Sequence, residues 1–189
     1  TMILADGTMG QMMEPVELPE TEPKTFDKPW ALTGTKGERK HNIVNSLYLK
    51  PEELEKTNFE RFARYKDIEE NEVLFEEYLM DDADICVVSF GITARICKTA
   101  IKAAREEGIK VGLIRPITLW PFPKKNIAEC ADRAKVFLSV EMSKGQMIDD
   151  VKLALDCKIP VSFYGSINIR GFVYKIIVLH CLEVQELRG

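Results

Sequence analysis

The second half of this sequence predicts an α/β protein. The expected form is a three-layer α/β/α arrangement around a mostly parallel sheet, preceded by an extended linker and a helical segment. Two observations carry that expectation. From Ala83 onward, short apolar runs alternate with stretches of helical periodicity, and several of those runs are apolar throughout rather than at every second residue. Continuous apolar runs are strands buried on both faces, and strand–helix alternation brings such strands together in parallel through right-handed crossovers.

The first unit is "ADICVVSFG", closed by Gly91 and followed by "ITARICKTAIKAAREEG", in which Ile96, Ala100, Ala103 and Ala104 recur at helical spacing and Gly108 supplies the stop. Next come "KVGLIR" with "KKNIAECADRA", then "KVFLSVE" with "KGQMIDDVKLALD", and "PVSFYG" closes the series. Loops that follow strand ends are where such sheets meet ligands and partners, so Phe90, Gly91, Arg115, Pro116, Glu141 and Met142 are expected along one edge.

The region ahead of the sheet is organised differently. "MILAD" has the composition of a short buried strand running into a turn at Gly7 and Gly10, and residues 1–20 are taken with it. "EPVELPETEPKTFDKPW" sets Pro15, Pro19, Pro23 and Pro29 among acids, the chemistry of a linker assigned to 21–50. Over 51–80, Pro51 stands at a first-turn position with acids behind it, and Leu54, Phe62, Tyr65, Ile68, Phe75 and Tyr78 fall at mostly helical spacing. The α/β domain takes 81–165. The tail, 166–189, alternates more like a strand than a helix.

Composition excludes several classes. A net charge of -4 leaves no basic surface for nucleic acid or an anionic membrane. The five cysteines are scattered and never spaced C-x-x-C, so neither a zinc site nor an iron-sulfur cluster is expected in this chain alone; small core residues in a reducing cytoplasm fit them. No apolar run reaches the ~18 residues of a membrane span. "SFGITA" has one glycine where a dinucleotide turn needs three, and no Walker lysine motif occurs.

The most unusual stretch is "VGLIRPITLWPFP", a buried strand that acquires Arg115 and then Pro116, Pro121 and Pro123. Proline lacks an amide donor and holds its predecessor extended, so pairing should stop near Arg115 and a stiff rim should follow. Arg115, Trp120 and Phe122 on such a rim suit docking against a neighbouring domain or subunit, with Pro116 and Glu141 beside them. Two plainer readings stand next to it: a local ion pair of Arg115 with an acid such as Glu141, and core packing for Trp120 and Phe122.

These residues resemble a known family. "LIRPITLWPFP", its flanks "VVSFGITARICKTAIKAAREEGIKVG" and "LSVEMSKGQMIDDVKLAL", and the earlier "LADGTMGQMMEPVELPE", "KPWALTG" and "NSLYLKPEELEK" are similar to the alpha subunit of 2-oxoacid:ferredoxin oxidoreductases of the branched-chain, 2-ketoisovalerate type. The similarity lies in the part related to the transketolase C-terminal domain. It covers residues 2–165, and R-P-x-T-L-W-P-F-P is its most specific element.

The resemblance implies an enzyme that oxidatively decarboxylates a 2-oxoacid to an acyl-CoA and reduces ferredoxin. It would use thiamine diphosphate, Mg, iron-sulfur clusters and coenzyme A as co-substrate. It also implies a thiamine-binding beta subunit and a ferredoxin-like iron-sulfur subunit as partners. Residues 1–20 then correspond to the end of an upstream pyrimidine-binding domain. Glu14 and Glu17, next to linker prolines, are solvated acids rather than the glutamate that activates thiamine. On this reading the chain alone holds no cofactor, is inactive, and acts in assembly. The alternative is an autonomous flavodoxin-like module that binds an anion or small molecule at the "SFGIT" helix start.

Overall fold

A computed structural model of the chain describes residues 2–5, 7, 9–18, 20 and 25–165. Two compact units, Thr1–Phe62 and Ala63–Gly189, divide it.

Among the described residues ahead of residue 51, regular structure is confined to a 3-10 turn at Met9–Gln11. The expected strand at "MILAD" is not formed: residues 2–5 carry no regular structure, and Met2, Ile3 and Leu4 are exposed. A strand is made by pairing, and apolar composition without a neighbouring strand does not supply it. Order here comes from side chains instead. Asn42 donates its amide hydrogens to the carbonyls of Pro29 and Ala31 at 2.6 and 3.0 Å, and Arg39 holds the carbonyl and hydroxyl of Thr33 at 3.1 and 3.0 Å.

Helix α1, Pro51–Asn71, opens on a proline whose missing amide would have had no intrahelical partner, with Glu52 and Glu53 in the first turn. It ends earlier than the helical spacing over 51–80 suggests. Phe75–Tyr78 is instead strand β1. Phe75 and Tyr78 stand three apart, a spacing compatible with helix, but the open edge of the sheet offers these residues a hydrogen-bonded ladder that periodicity does not reveal.

The remaining elements follow the expected order: β2 Ile85–Val88, α2 Gly91–Glu106, β3 Val111–Pro116, α3 Lys124–Cys130, β4 Val136–Glu141, α4 Met147–Ala154 and β5 Val161–Gly165. The sheet runs β1-β3-β2-β4-β5, parallel throughout except for β1, which is antiparallel to β3. Helix α2 covers one face, where its Ala94, Cys97 and Ile101 pack with Val87, Leu113 and Val140. Helices α3 and α4 cover the other, where Ile127 and Val151 pack with Val88, Ile114 and Phe137. The three-layer α/β/α expectation holds because β2, β3 and β4 are inner strands apolar on both faces, and each such side chain contributes about 1.5–3 kcal/mol on burial. Among the described residues no helix is long and apolar enough to cross a membrane. The tail assigned to 166–189 lies outside the described residues.

Candidate functional site

The site begins with the strand order. The chain leaves β2 for β3 on one side and returns to β4 on the other, so the carboxyl ends of β2 and β4 flank a topological switch point. Ser89, one residue past β2, is fully buried and donates its hydroxyl to the Val140 carbonyl at 2.9 Å, tying the two strands together there. Phe90 and Gly91 follow and open α2, whose N-terminus carries no side-chain cap.

At the end of β4, Glu141 is 2% exposed yet ionised. Burial pushes its carboxyl up, but the amides of Gln146 and Met147 and the hydroxyls of Ser143 and Ser139 outweigh that and hold it below the usual carboxylate range. The contacts are dense. Gln146, Met147 and Ile148 donate backbone N–H groups at 3.0, 3.0 and 2.9 Å, and Ser139 and Ser143 donate hydroxyls at 2.9 Å each. Glu141 thus supplies from upstream the acceptor that the first amides of α4 need, and its charge faces the positive end of that helix. The return of the chain depends on Gly145, at φ 100, a backbone state that side chains disfavour.

The proline-rich rim is braced from within. Thr118 accepts the Leu74 amide at 3.0 Å and donates its hydroxyl to the Pro121 carbonyl at 2.8 Å, while the amides of Ile117 and Thr118 reach the Leu74 carbonyl. Pro116 is buried and pairs in register with Phe75, so the strand does stop where its donor is missing. The two aromatic residues part company: Phe122 is 8% exposed inside the core, whereas Trp120 is 54% exposed and meets Tyr65 edge-on at 5.4 Å. Trp120, Pro121, Lys124 and Lys125, with Glu69 and Asp150 opposite, line a groove of about 300 Å³.

Arg115 does not pair with Glu141. Its guanidinium reaches Glu76 on β1 at 3.2 Å, and Lys98 of α2 meets the same carboxylate. The hydrogen bond from Lys98, together with Arg115, holds Glu76 below the usual range despite some burial. Glu141 was the natural guess from strand-end positions alone, but β1 puts Glu76 directly across the ladder from Arg115. Glu76, Lys98, Ser89 and Thr118 are therefore the residues that sequence reasoning missed. The usable signal for the first was "VLFEEY", a β-rich run after the helix stop at Asn71.

Of the residues expected at the edge, Arg115 and Trp120 reach solvent, while Pro116, Phe122 and Glu141 shape the rim from beneath. Among the described residues no group of His, Cys, Asp or Glu could hold a metal ion. Burial pushes the Cys86 thiol well up with Cys130 close by, and burial with Glu77 beside it raises Cys130 to about 11, so both are neutral and unreactive at neutral pH. Among the described residues the strand ends thus form an edge braced by internal hydrogen bonds.

Residues 83–176, from just before β2 to beyond β5, match the family model for the pyruvate:ferredoxin oxidoreductase core domain II. This segment belongs to that family. Similarity extends along most of the chain: the ketoisovalerate oxidoreductase subunit VorB of Methanothermobacter marburgensis is 48% identical over 158 residues, which is 83% of this chain and 45% of that subunit. The chain thus spans less than half the length of this relative. The 2-oxoglutarate synthase subunit KorA of the same organism is 47% identical over 72 residues, 38% of this chain and 19% of that subunit. A similar fold occurs in the structure of a 2-oxoglutarate:ferredoxin oxidoreductase from Magnetococcus marinus, with a TM-score of 0.62 and 21% identity, over 72% of this chain and 24% of that one.

Proposed function

We propose that the chain is part of the alpha subunit of a thiamine diphosphate-dependent 2-oxoacid:ferredoxin oxidoreductase that converts 2-ketoisovalerate to its acyl-CoA. The observation that carries this is the 48% identity to VorB along 83% of the chain. Its partners are a thiamine-binding beta subunit and a ferredoxin-like iron-sulfur subunit, with ferredoxin as the electron acceptor. The free, mostly buried cysteines favour a reducing compartment, the cytoplasm.

Among the described residues no ligand set for a metal ion is present. Glu141, the carboxylate at the switch point, is committed to five hydrogen bonds, and no metal-holding cluster accompanies it. The part of these residues is positioning: the braced rim presents Arg115 and Trp120 to a neighbouring domain or subunit, and the Glu141 cradle fixes the adjoining loop.

The test is purification of the native complex and assay of coenzyme A-dependent dye reduction with 2-ketoisovalerate, pyruvate and 2-oxoglutarate. Preference for 2-ketoisovalerate is the expected result; absence of any 2-oxoacid-dependent reduction overturns the proposal. Within that complex, Arg115→Ala or Trp120→Ala should weaken subunit association by more than about 2 kcal/mol, the cost of truncating an interface anchor.

A further inference from the structure

Taking the chain as one subunit of the proposed oxidoreductase, we infer that the groove lined by Trp120, Lys124 and Lys125 receives a loop of another subunit, one that carries an apolar side chain between an acid and a base. The groove, about 300 Å³, is lined wholly by residues of the second compact unit. Its lip is apolar and open to solvent: Trp120 is 54% exposed and Leu119 is 49% exposed. Buried Pro121, Phe122 and Pro123 support that lip, and Thr118 donates its hydroxyl to the Pro121 carbonyl at 2.8 Å. A surface so fixed has little conformational freedom left to lose when a guest arrives, which lowers the cost of binding.

Charge identifies the guest. Lys124 and Lys125 stand at the start of α3, Glu69 on α1 and Asp150 on α4, and all four are exposed. None of them forms an ion pair among the described residues, although charges of both signs line the one groove. Their neighbours on the same helices do pair, Lys66 with Glu70 at 3.9 Å and Asp149 with Lys152 at 4.0 Å. A guest of one sign only would meet two like charges in the groove. A segment that turns an acid towards Lys124 and Lys125 and a base towards Glu69 and Asp150 meets opposite charge at both, and the other arrangements are selected against. An exposed aromatic ring among charged residues is also the layout of an interface anchor with its polar rim. So charged a lining fits a contact between separate chains, since permanently joined surfaces are more hydrophobic.

The experiment is photo-cross-linking in the native complex, with Leu119 replaced by the photoreactive p-benzoylphenylalanine. The expected product joins this chain to a different subunit, in a peptide where an apolar residue stands between an acid and a base. Lys124→Glu with Lys125→Glu should lower the cross-link yield roughly fivefold, and reversing the acid of the captured peptide to Lys should restore it. Glu69→Lys with Asp150→Lys reads the other charge of the guest independently, and the same loss is expected. No cross-link, a cross-link confined to this polypeptide or to a second copy of it, a captured peptide without both charges, or a charge reversal that fails to restore the yield each overturns the inference. A complex that reduces dye with a 2-oxoacid yet gives no such cross-link sinks this inference alone. A cross-link of the expected kind in a complex without 2-oxoacid activity upholds the docking and removes the assigned reaction.

Discussion

Glu76 and Arg115 stand opposite each other in the β1–β3 ladder, and their side chains meet at 3.2 Å while Lys98 reaches the same carboxylate from α2. One acid thus joins the antiparallel edge strand, the strand bearing the proline rim and the helix over them.

Because the Arg115 and Glu76 side chains are 39% and 35% exposed, the pair is screened, and Arg115→Ala should cost the isolated chain less than about 1 kcal/mol in a urea melt. A loss several times larger would show that Arg115 is a stability element rather than a docking group.

Glu141 behaves oppositely. Glu141→Ala leaves three backbone amides at the start of α4 and two hydroxyls without their acceptor in a buried site and should cost about 3 kcal/mol. Its folded carboxyl is held below the ordinary 4.5, so its contribution is complete above that value and is lost as pH falls through the lower folded one. In Glu141→Gln this acid-side loss should disappear from a stability–pH profile.

The two rim aromatics should separate in the same melts. Phe122→Ala opens a core cavity and should cost about 3–5 kcal/mol, whereas Trp120→Ala removes a half-exposed ring and an edge contact with Tyr65 and should cost about 1 kcal/mol. Equal losses would mean that Trp120 is packed as core.

Gly112→Ala tests the closeness of the strand crossing. A Cβ there would lie 2.5 Å from the Leu79 carbonyl oxygen and from Met80 Sδ, so β3 and the turn after β1 would be forced apart. A loss of roughly 2–3 kcal/mol is expected from chemical denaturation, and a neutral result would show that the turn yields.

Much of this was legible in the sequence, for a physical reason. "CVV", "GLI" and "FLSV" are strands buried on both faces, so apolar continuity alone announced them, and alanines at helical spacing announced α2. The edge strand was not. β1 is only half buried, its Glu76 and Glu77 are polar, and what makes it a strand is the neighbour it finds at Leu113–Pro116, far along the chain. The partner of Arg115 was missed with it. Rim stiffness could be inferred from prolines, but the depth of each aromatic could not, since Trp120 and Phe122 differ by two residues in sequence and lie on opposite sides of the surface.

The strand order also has a consequence for synthesis on the ribosome. β2 can pair with β3 as soon as residue 116 has emerged, yet its other margin stays bare until β4 arrives. A nascent chain therefore passes through an interval in which Ile85–Val88, later among the most protected residues, forms an open apolar border able to capture a neighbouring polypeptide. The interval ends when Ser89 can reach Val140, and fast translation through residues 117–141 would shorten it.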